Sequence, residues 1–193
     1  MKRIGVAFMA VVLCVTLSYG FDMSGKGQIL EKAKSAKTNV FAEEGQVQKG
    51  QAILIIKASI KKEGLRPEYP FVINIDGQAV TWKSQGMQDN LPKYADGYKS
   101  NNPEAGDGIK YKLYKRIILS AGTHKFFIGL PEDEYSKEFS LTVKEGGPHY
   151  LELQPVYKYD REYRSKSDYG LPRNRTFSKG ISSYSILFNE QSI

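Results

Sequence analysis

Cysteine is almost absent from this sequence, and its absence removes several classes of function. Cys14 is the single cysteine among 193 residues, and it lies inside an apolar run near the amino terminus. A lone cysteine excludes an internal disulfide framework and the Cys-x-x-Cys-His attachment of haem. If that apolar run is removed, as predicted below, the remaining chain also lacks a thiol nucleophile.

Histidine is nearly as scarce, with His124 and His149 as the only two. A zinc site built on this pair would need a further ligand from a carboxylate, and both histidines lie beside predicted turns, where bonding to the backbone is the commoner role. The sequence contains no Gly-x-Ser-x-Gly motif and no glycine-rich phosphate loop ahead of a helix. Three acidic residues at 132–134 are expected to be a solvated hairpin tip rather than an acid–base pair. The sequence therefore predicts a protein that is not an enzyme and that holds no metal or cofactor.

The first twenty residues have the organisation of a secretory signal peptide, which we expect to be cleaved after Gly20. Lys2 and Arg3 precede an apolar run at 4–17, which is too short to span a bilayer as a helix. Small side chains at Ser18 and Gly20 occupy the positions that a signal peptidase recognises. The sequence thus predicts export to the periplasm, the cell surface or the extracellular space, with no transmembrane segment after cleavage.

A lipoprotein signal is the alternative interpretation of the same run. Residues 11–14 end in Cys14, which would then be lipidated and would anchor the chain to a membrane. However, Leu13 stands where a small residue is usual, and the apolar run would be shortened to 4–13. Cleavage after Gly20 is therefore the favoured interpretation.

Positive charge exceeds negative charge, and much of the surplus lies near the carboxyl-terminal end. The chain carries 28 basic and 21 acidic residues, a net charge of +7, and removing Lys2 and Arg3 with the leader leaves a net charge of +5. Residues 157–179 hold seven basic residues against three acidic ones. In an exported protein such a segment favours an anionic envelope polymer, a lipid headgroup or an acidic protein over nucleic acid.

The same segment interleaves tyrosine with arginine and lysine, a composition that interface hot spots favour. Tyrosine supplies a large flat surface, and arginine supplies forked hydrogen bonds. Aromatic rings also stack on sugars, and the single tryptophan is expected to join such a site. Alternatively, the tyrosines pack on the edge of the fold and the basic residues are only solvated. The predicted binding residues are Tyr157, Tyr159, Arg161, Tyr163, Arg164, Tyr169, Arg173, Arg175 and Trp82.

Apolar and polar residues alternate over much of the chain, which predicts an all-β domain from 46 to 193. Leu54, Ile56 and Ala58 share one face of a central strand, and the Asp-Gly pair at 76–77 is a hairpin signal. The regular spacing of strands and turns predicts an antiparallel, immunoglobulin-like β-sandwich. Further strands are expected at 111–119, 124–130, 139–143, 149–156 and 181–188. The extension at 21–45 is expected to hold a short helix at 28–37 and a strand at 38–41.

Residues 84–109 predict a long loop, because they show no apolar periodicity and contain four glycines and two prolines. Loops of this length in a compact domain are often functional. Asp89, Asp96, Glu104 and Asp107 provide the oxygen ligands that Ca²⁺ prefers, although their spacing is not that of an EF-hand. Solvated carboxylates are expected, and a calcium site is the alternative.

Residues 71–157 contain three landmarks of strand and turn chemistry: a strand ending in Ile-Asp-Gly at 75–77, a Leu-x-x-Gly-x-His corner at 119–124, and a strand at 139–143 with a glycine pair at 146–147. With these landmarks, the stretch resembles the PEGA-like β-sandwich domains of bacterial envelope proteins. The resemblance covers under half of the chain. It implies a PEGA-like sandwich with an envelope-associated binding or structural role, and it brings no catalytic residues.

These observations predict an exported, non-enzymatic module that engages an envelope protein or a surface polymer through its loop surfaces at 84–109 and 157–179. A carbohydrate-binding or polysaccharide-associated accessory protein is the alternative from another functional class. A third possibility is assembly into a homo-oligomer through edge strands.

Overall fold

A computed structural model of the chain describes residues 25–64, 66–95, 98–160 and 174–193, so the predicted signal peptide at 1–20 lies outside the described residues. Strands make up most of these residues, which confirms the all-β prediction. The elements are the helix α1 Gly25–Lys32, the strands β1 Phe41–Ala42, β2 Gln51–Lys62, β3 Glu68–Ile75, β4 Gln78–Leu91, β5 Tyr94–Ala95, β6 Tyr98–Lys99, β7 Gly106–Ser120, β8 Gly122–Leu130, β9 Tyr135–Val143, β10 Gly146–Tyr157, β11 Ile181–Phe188 and β12 Gln191–Ser192, and a 3₁₀ turn, Phe177–Lys179.

The helix α1 lies on the outside of the sheet and begins and ends earlier than predicted. Its buried residue Ile29 packs against Val72 of β3 and Phe127 of β8. The Asn74 amide donates to the Lys32 carbonyl oxygen at 2.8 Å, which satisfies a carbonyl at the end of the helix. The backbone N–H groups of Ala36 and Lys37 then donate to the Gly77 carbonyl oxygen instead of to a helical carbonyl, so the predicted extension of the helix to residue 37 is wrong. Among the described residues, no helix is long and apolar enough to cross a membrane.

The sheet is mixed, which corrects the prediction of a purely antiparallel fold. Its strands follow the order β12-β11-β10-β2-β7-β4-β3-β8-β9, with β1 paired to β7 and a separate β5-β6 pair. Strand β2 lies between β7, which is antiparallel, and β10, which is parallel to it. A parallel pair needs a long connection between its two strands. Here seven other strands lie between β2 and β10 in the sequence.

Strand β4 joins two layers of this curled sheet. Its first half, 78–85, pairs with β3, and its second half, 86–91, pairs with β7. The chain changes layer again at Ala121, since β7 pairs with β2 and β4 whereas β8 pairs with β3 and β9. The predicted loop at 84–109 is therefore wrong at both ends, which are strands β4 and β7. The prediction failed because residues 86–91 are largely polar and show no apolar alternation. They form a strand by pairing with β7, which is distant in the sequence.

The core fills the inside of the curl. Alternation along β2 places Leu54, Ile56 and Ile60 inside with none of their surface exposed, as predicted. Where β11 meets β9, the Tyr184 N–H donates to the Tyr135 hydroxyl at 3.0 Å, and the two ring centres lie 5.8 Å apart. Burial raises the pKa of both phenols, so both stay neutral donors and acceptors.

The acidic turn at 132–134 exposes Glu132 and Glu134, as the sequence predicts, but Asp133 departs from the prediction of a solvated tip. The Asp133 carboxylate is 5% exposed and accepts a hydrogen bond from Lys62 Nζ at 2.6 Å and another from the Tyr69 hydroxyl. Burial, followed by the nearby Asp133 charge, raises the pKa of Tyr69 well above its ordinary value. The turn thus folds over one end of the core and is held there by a buried polar cluster.

The predicted Asp-Gly hairpin is confirmed between β3 and β4. Asp76 and Gly77 both have positive φ, 51° and 99°, the conformation that favours Asp-Gly in such turns. The Asp76 carboxylate accepts from the Lys125 N–H at 2.7 Å and lies 2.7 Å from His124 Nδ1. Burial acts to raise the pKa of this carboxyl, but the Lys125 N–H and His124 outweigh it, so the pKa lies below its ordinary value.

We expect Gly86→Ala to destabilise the fold, because a Cβ there would lie 2.5 Å from Ile109 Cγ2 and 3.0 Å from the Arg66 carbonyl oxygen. The cost should be about 1–3 kcal/mol in the free energy of unfolding measured with urea. Gln88→Ala, at an exposed position of the same strand, is the control and should change stability by less than about 0.5 kcal/mol. Equal effects of the two changes would contradict the close approach of the layers at Gly86.

Asp76→Asn should make stability less dependent on pH at the acid end. A lowered carboxyl pKa in the folded state stabilises the protein above the unfolded value of about 3.9, and this contribution is lost as the pH falls through the folded pKa. At pH 7 the variant should be less stable by about 1–2 kcal/mol. The difference should shrink when urea unfolding is repeated below about pH 4. A difference that stays constant with pH would argue against a role for the Asp76 charge.

Candidate functional site

The structure describes the two ends of the basic segment at 157–179 and joins them. The Asp160 N–H donates to the Asn174 carbonyl oxygen at 2.9 Å, and the Thr176 N–H donates to the Lys158 carbonyl oxygen at 3.0 Å. Tyr159 and Arg175 face each other as an antiparallel bridge. We call residues 158–160 and 174–176 the neck. Five predicted binding residues lie outside the described residues: Arg161, Tyr163, Arg164, Tyr169 and Arg173.

Two predicted binding residues come together on the neck. The Arg175 guanidinium lies 4.4 Å from the centre of the Tyr159 ring and donates to the Tyr157 carbonyl oxygen at 2.9 Å. It also lies 3.3 Å from the Tyr159 hydroxyl oxygen. These contacts hold the arginine in one position, while the Tyr159 side chain remains 43% exposed. The neck therefore presents an arginine–tyrosine stack, the pairing that the sequence predicts for a binding surface.

Tyr157 does not belong to that surface, which corrects the prediction for this residue. Its side chain is 1% exposed. Its hydroxyl accepts a hydrogen bond from the Lys61 N–H at 2.8 Å and donates one to Glu104 Oε1 at 2.8 Å. Burial, followed by the Glu104 charge, raises the pKa of this phenol well above its ordinary value. Tyr157 thus anchors the base of the neck and offers no free ring.

Trp82 is also in the core, so the structure removes the exposed indole face that a sugar site would need. The side chain is 5% exposed, and its N–H donates to Glu43 Oε1 at 3.0 Å. Phe41 packs edge-on against the ring, and Lys115 Nζ lies 5.5 Å from its centre. Lys115 pairs with Ile56 of β2, whereas Tyr157 contacts Lys61 near the end of that strand. The structure therefore does not bring Trp82 and the neck together.

A fully buried lysine holds the residues beneath the neck. Lys61 has none of its surface exposed. Its ammonium group donates to the Glu104 and Gly106 carbonyl oxygens at 2.8 and 2.6 Å and pairs with Asp89 Oδ2 at 3.1 Å. These three acceptors match the three hydrogens of the group. The Phe177 ring covers the ammonium group, with its centre 4.8 Å from Lys61 Nζ. One charge on β2 therefore contacts β4, the start of β7 and the residue that follows the neck.

A groove beside this lysine carries two of the four acidic residues that raised the calcium alternative, Asp89 and Glu104, whereas Asp96 lies outside the described residues. It measures about 240 Å³ and includes Asp89, Glu104 and Lys110 in its lining. Asp89 is paired with Lys61, and Glu104 is paired with Lys110, so both carboxylates already have a cation beside them. In the part of the chain that the structure describes, no three histidine, cysteine or acidic side chains come close enough to hold a metal ion.

The two histidines occupy separate structural positions. His124 Nε2 donates to the Ser120 carbonyl oxygen at 2.8 Å, because a carbonyl oxygen only accepts. His149 bonds the Lys144 carbonyl oxygen at 2.9 Å and lies on Phe188 with 5.7 Å between the ring centres. Each histidine therefore bonds the backbone beside a turn, as expected.

Sequence reasoning missed a second exposed surface, on the outer face of the sheet. Strand β7 alternates, so Lys112, Tyr114 and Arg116 point away from the core, and Lys57 of β2 lies directly opposite Tyr114. Tyr150 of β10 lies on the same face. We call these five residues the basic tyrosine face. The signal for it was present in the sequence, because an alternating strand places every second residue of the run Lys-Leu-Tyr-Lys-Arg at 112–116 on one side.

Comparison with known protein families, with curated proteins and with solved structures finds no match to this chain. The resemblance to PEGA-like domains consequently stays a prediction.

Lys61→Met should strongly destabilise the protein, because it leaves Asp89 and two carbonyl oxygens without their cation. We expect a loss of about 3 kcal/mol in urea unfolding. Lys57→Met provides the matched control, since Lys57 lies on the same outer side of β2 but is exposed, and it should cost less than about 0.5 kcal/mol. Similar losses of stability in the two variants would show that the buried ammonium group does not contribute more to folding than an exposed one.

Proposed function

We propose that this chain is an exported, non-enzymatic binding or structural module of the cell envelope, and that it engages a protein partner through the neck. The observation that carries the proposal is the Arg175–Tyr159 stack, which is held by a hydrogen bond from Arg175 to the Tyr157 carbonyl oxygen while the tyrosine remains exposed. Tyrosine and arginine dominate the energetic centres of protein interfaces. A pair that is already ordered loses little conformational entropy on binding.

The base of the neck supports this role. Phe177, the residue that follows the neck, covers the buried ammonium of Lys61, and its N–H donates to the Pro103 carbonyl oxygen at 2.9 Å, so the neck is attached to two other parts of the chain. A surface fixed in this way is suited to recognition of a partner rather than to movement around a substrate. Export follows from the predicted signal peptide.

The proposal also includes the type of all-β fold. We propose that the curled sheet is an immunoglobulin-like or PEGA-like sandwich in which one pairing is parallel. Two layers that share β4 and enclose one apolar core support it.

A carbohydrate-binding role is the second candidate, and it is favoured by the exposed rings of Tyr114 and Tyr150, which are 62% and 42% exposed. This role would not involve Trp82, because that ring is buried.

The test of the protein-partner proposal is crosslinking in the cell that produces the tagged full-length chain, followed by identification of the proteins that co-purify. We expect a defined protein to be recovered with the wild type and at least fivefold less of it with Tyr159→Ala. Tyr94→Ala is the matched control, because Tyr94 is also exposed, at 64%, and lies elsewhere in the chain. Recovery of no protein, or equal recovery with Tyr159→Ala, would contradict a partner at the neck.

Export is checked on the same preparations. The purified protein should begin at residue 21 and should be recovered from the envelope or the medium. A chain that retains Met1 and stays in the cytoplasmic fraction would contradict export without bearing on the neck.

A further inference from the structure

We propose that the basic tyrosine face, Lys57, Lys112, Tyr114, Arg116 and Tyr150, is a binding surface for an anionic polysaccharide. The face shares no residue with the neck, and the proposal rests on the carbohydrate-binding candidate above, for which it names the class of polymer. The register of three neighbouring strands brings these residues onto one side of the sheet.

The register places two exposed rings on either side of a lysine. Lys57 of β2 pairs directly with Tyr114 of β7 and with Glu152 of β10, two residues from Tyr150. Neighbouring strands are about 4.8 Å apart, and same-face residues along a strand are about 6.8 Å apart. The two tyrosines are therefore roughly 12 Å apart at the backbone. Lys57 Nζ lies 5.2 Å from the centre of the Tyr150 ring, between the two aromatic positions.

The charge of the face is positive, because its three basic residues outnumber the acidic Glu152 that lies opposite Lys57. Lys112 and Arg116 lie two residues to either side of Tyr114 on the same strand. Within the described ranges, the side chains of Lys57, Lys112 and Arg116 form no ion pair with an aspartate or a glutamate. Glu152 is the acidic neighbour of Lys57 across the β2–β10 pair. Three basic groups on a flat surface attract a ligand that carries several negative charges.

The combination fits a sugar polymer better than a protein. The apolar C–H face of a sugar ring packs against the negative face of a tyrosine ring, and lysine or arginine next to that ring can bind a carboxylate or a phosphate on the sugar. In contrast, lysine is depleted from the cores of protein interfaces, where apolar side chains predominate. Exposed rings among basic residues also suit single-stranded nucleic acid, but the predicted export of the chain favours a polysaccharide.

The experiment measures binding of the purified full chain to fluorescently labelled polygalacturonate, a polymer of uronic acids, at physiological ionic strength. The variant Lys57→Gln, Lys112→Gln, Arg116→Gln removes three charges from the face. Its control, Lys34→Gln, Lys125→Gln, Lys144→Gln, removes three charges from exposed lysines elsewhere. We expect at least a tenfold weaker affinity for the face variant and less than a twofold change for the control.

A second pair of variants tests the rings separately from the charge. Tyr114→Ala should weaken binding at least fivefold, whereas Tyr114→Phe should retain it, because stacking needs the ring and not the hydroxyl. Since Tyr114 is exposed, neither change should alter the midpoint of urea unfolding, and this is measured in parallel.

Several outcomes would overturn the proposal. Absence of binding to polygalacturonate, or equal losses in the face variant and its control, would exclude a specific site on this face. Tighter binding of oligothymidylate or of polyglutamate, lost in the same variants, would assign the face to nucleic acid or to acidic protein. Neutral dextran should not bind. These results are independent of the crosslinking at the neck, so either proposal can fail alone.

Discussion

A charged amine that is removed from water must recover every hydrogen bond that it loses, and Lys61 meets this requirement beneath the neck. Its ammonium group bonds Asp89 on β4 and the carbonyl oxygens of Glu104 and Gly106 ahead of and within β7. Phe177 covers the charge from the carboxyl-terminal side of the neck. Segments that are distant in the sequence are therefore positioned by one side chain, and the neck is fixed on the sheet as a result.

The curl of the sheet determines which faces of the strands are enclosed and which form the surface. Because β4 serves both layers, the apolar inner faces of the strands enclose one core, and helix α1 covers Val72 and Phe127 on the outer face. Lys61 points to the same outer side of β2 as Lys57, and Phe177 covers it there. The neck is thus attached over the outer side of the sheet, beyond the end of the basic tyrosine face. On the proposals made above, one rigid sheet carries two separate binding surfaces, which suits a module that connects a protein to a polymer.

Sequence reasoning succeeded where the information is local and failed where a residue depends on distant neighbours. The alternation of Leu54 and Ile56 identified β2, and Asp76 with Gly77 identified the β3–β4 turn. Residues 86–91 were missed as a strand, because they form the polar half of β4 and show no alternation. Trp82 was assigned to a binding surface although Thr81 and Lys83 flank it as exposed polar residues on β4. Its partners Glu43 and Lys115 lie in other elements. The basic tyrosine face, by contrast, could have been predicted from the alternation of β7 alone.

By itself, the sequence determined the strands whose apolar and polar residues alternate and which residues of each such strand share a face, because both follow from a two-residue period and from turn residues a few positions apart. Only the tertiary structure decided the order of the strands, the parallel pairing of β2 with β10, and the burial of Lys61, Trp82 and Tyr157. These features depend on contacts between distant parts of the chain. The Lys61 N–H and the Tyr157 hydroxyl that accepts its hydrogen bond are 96 residues apart. No local pattern specifies such a pair, because it forms only when the packing of the whole sheet brings both groups into the same water-free space.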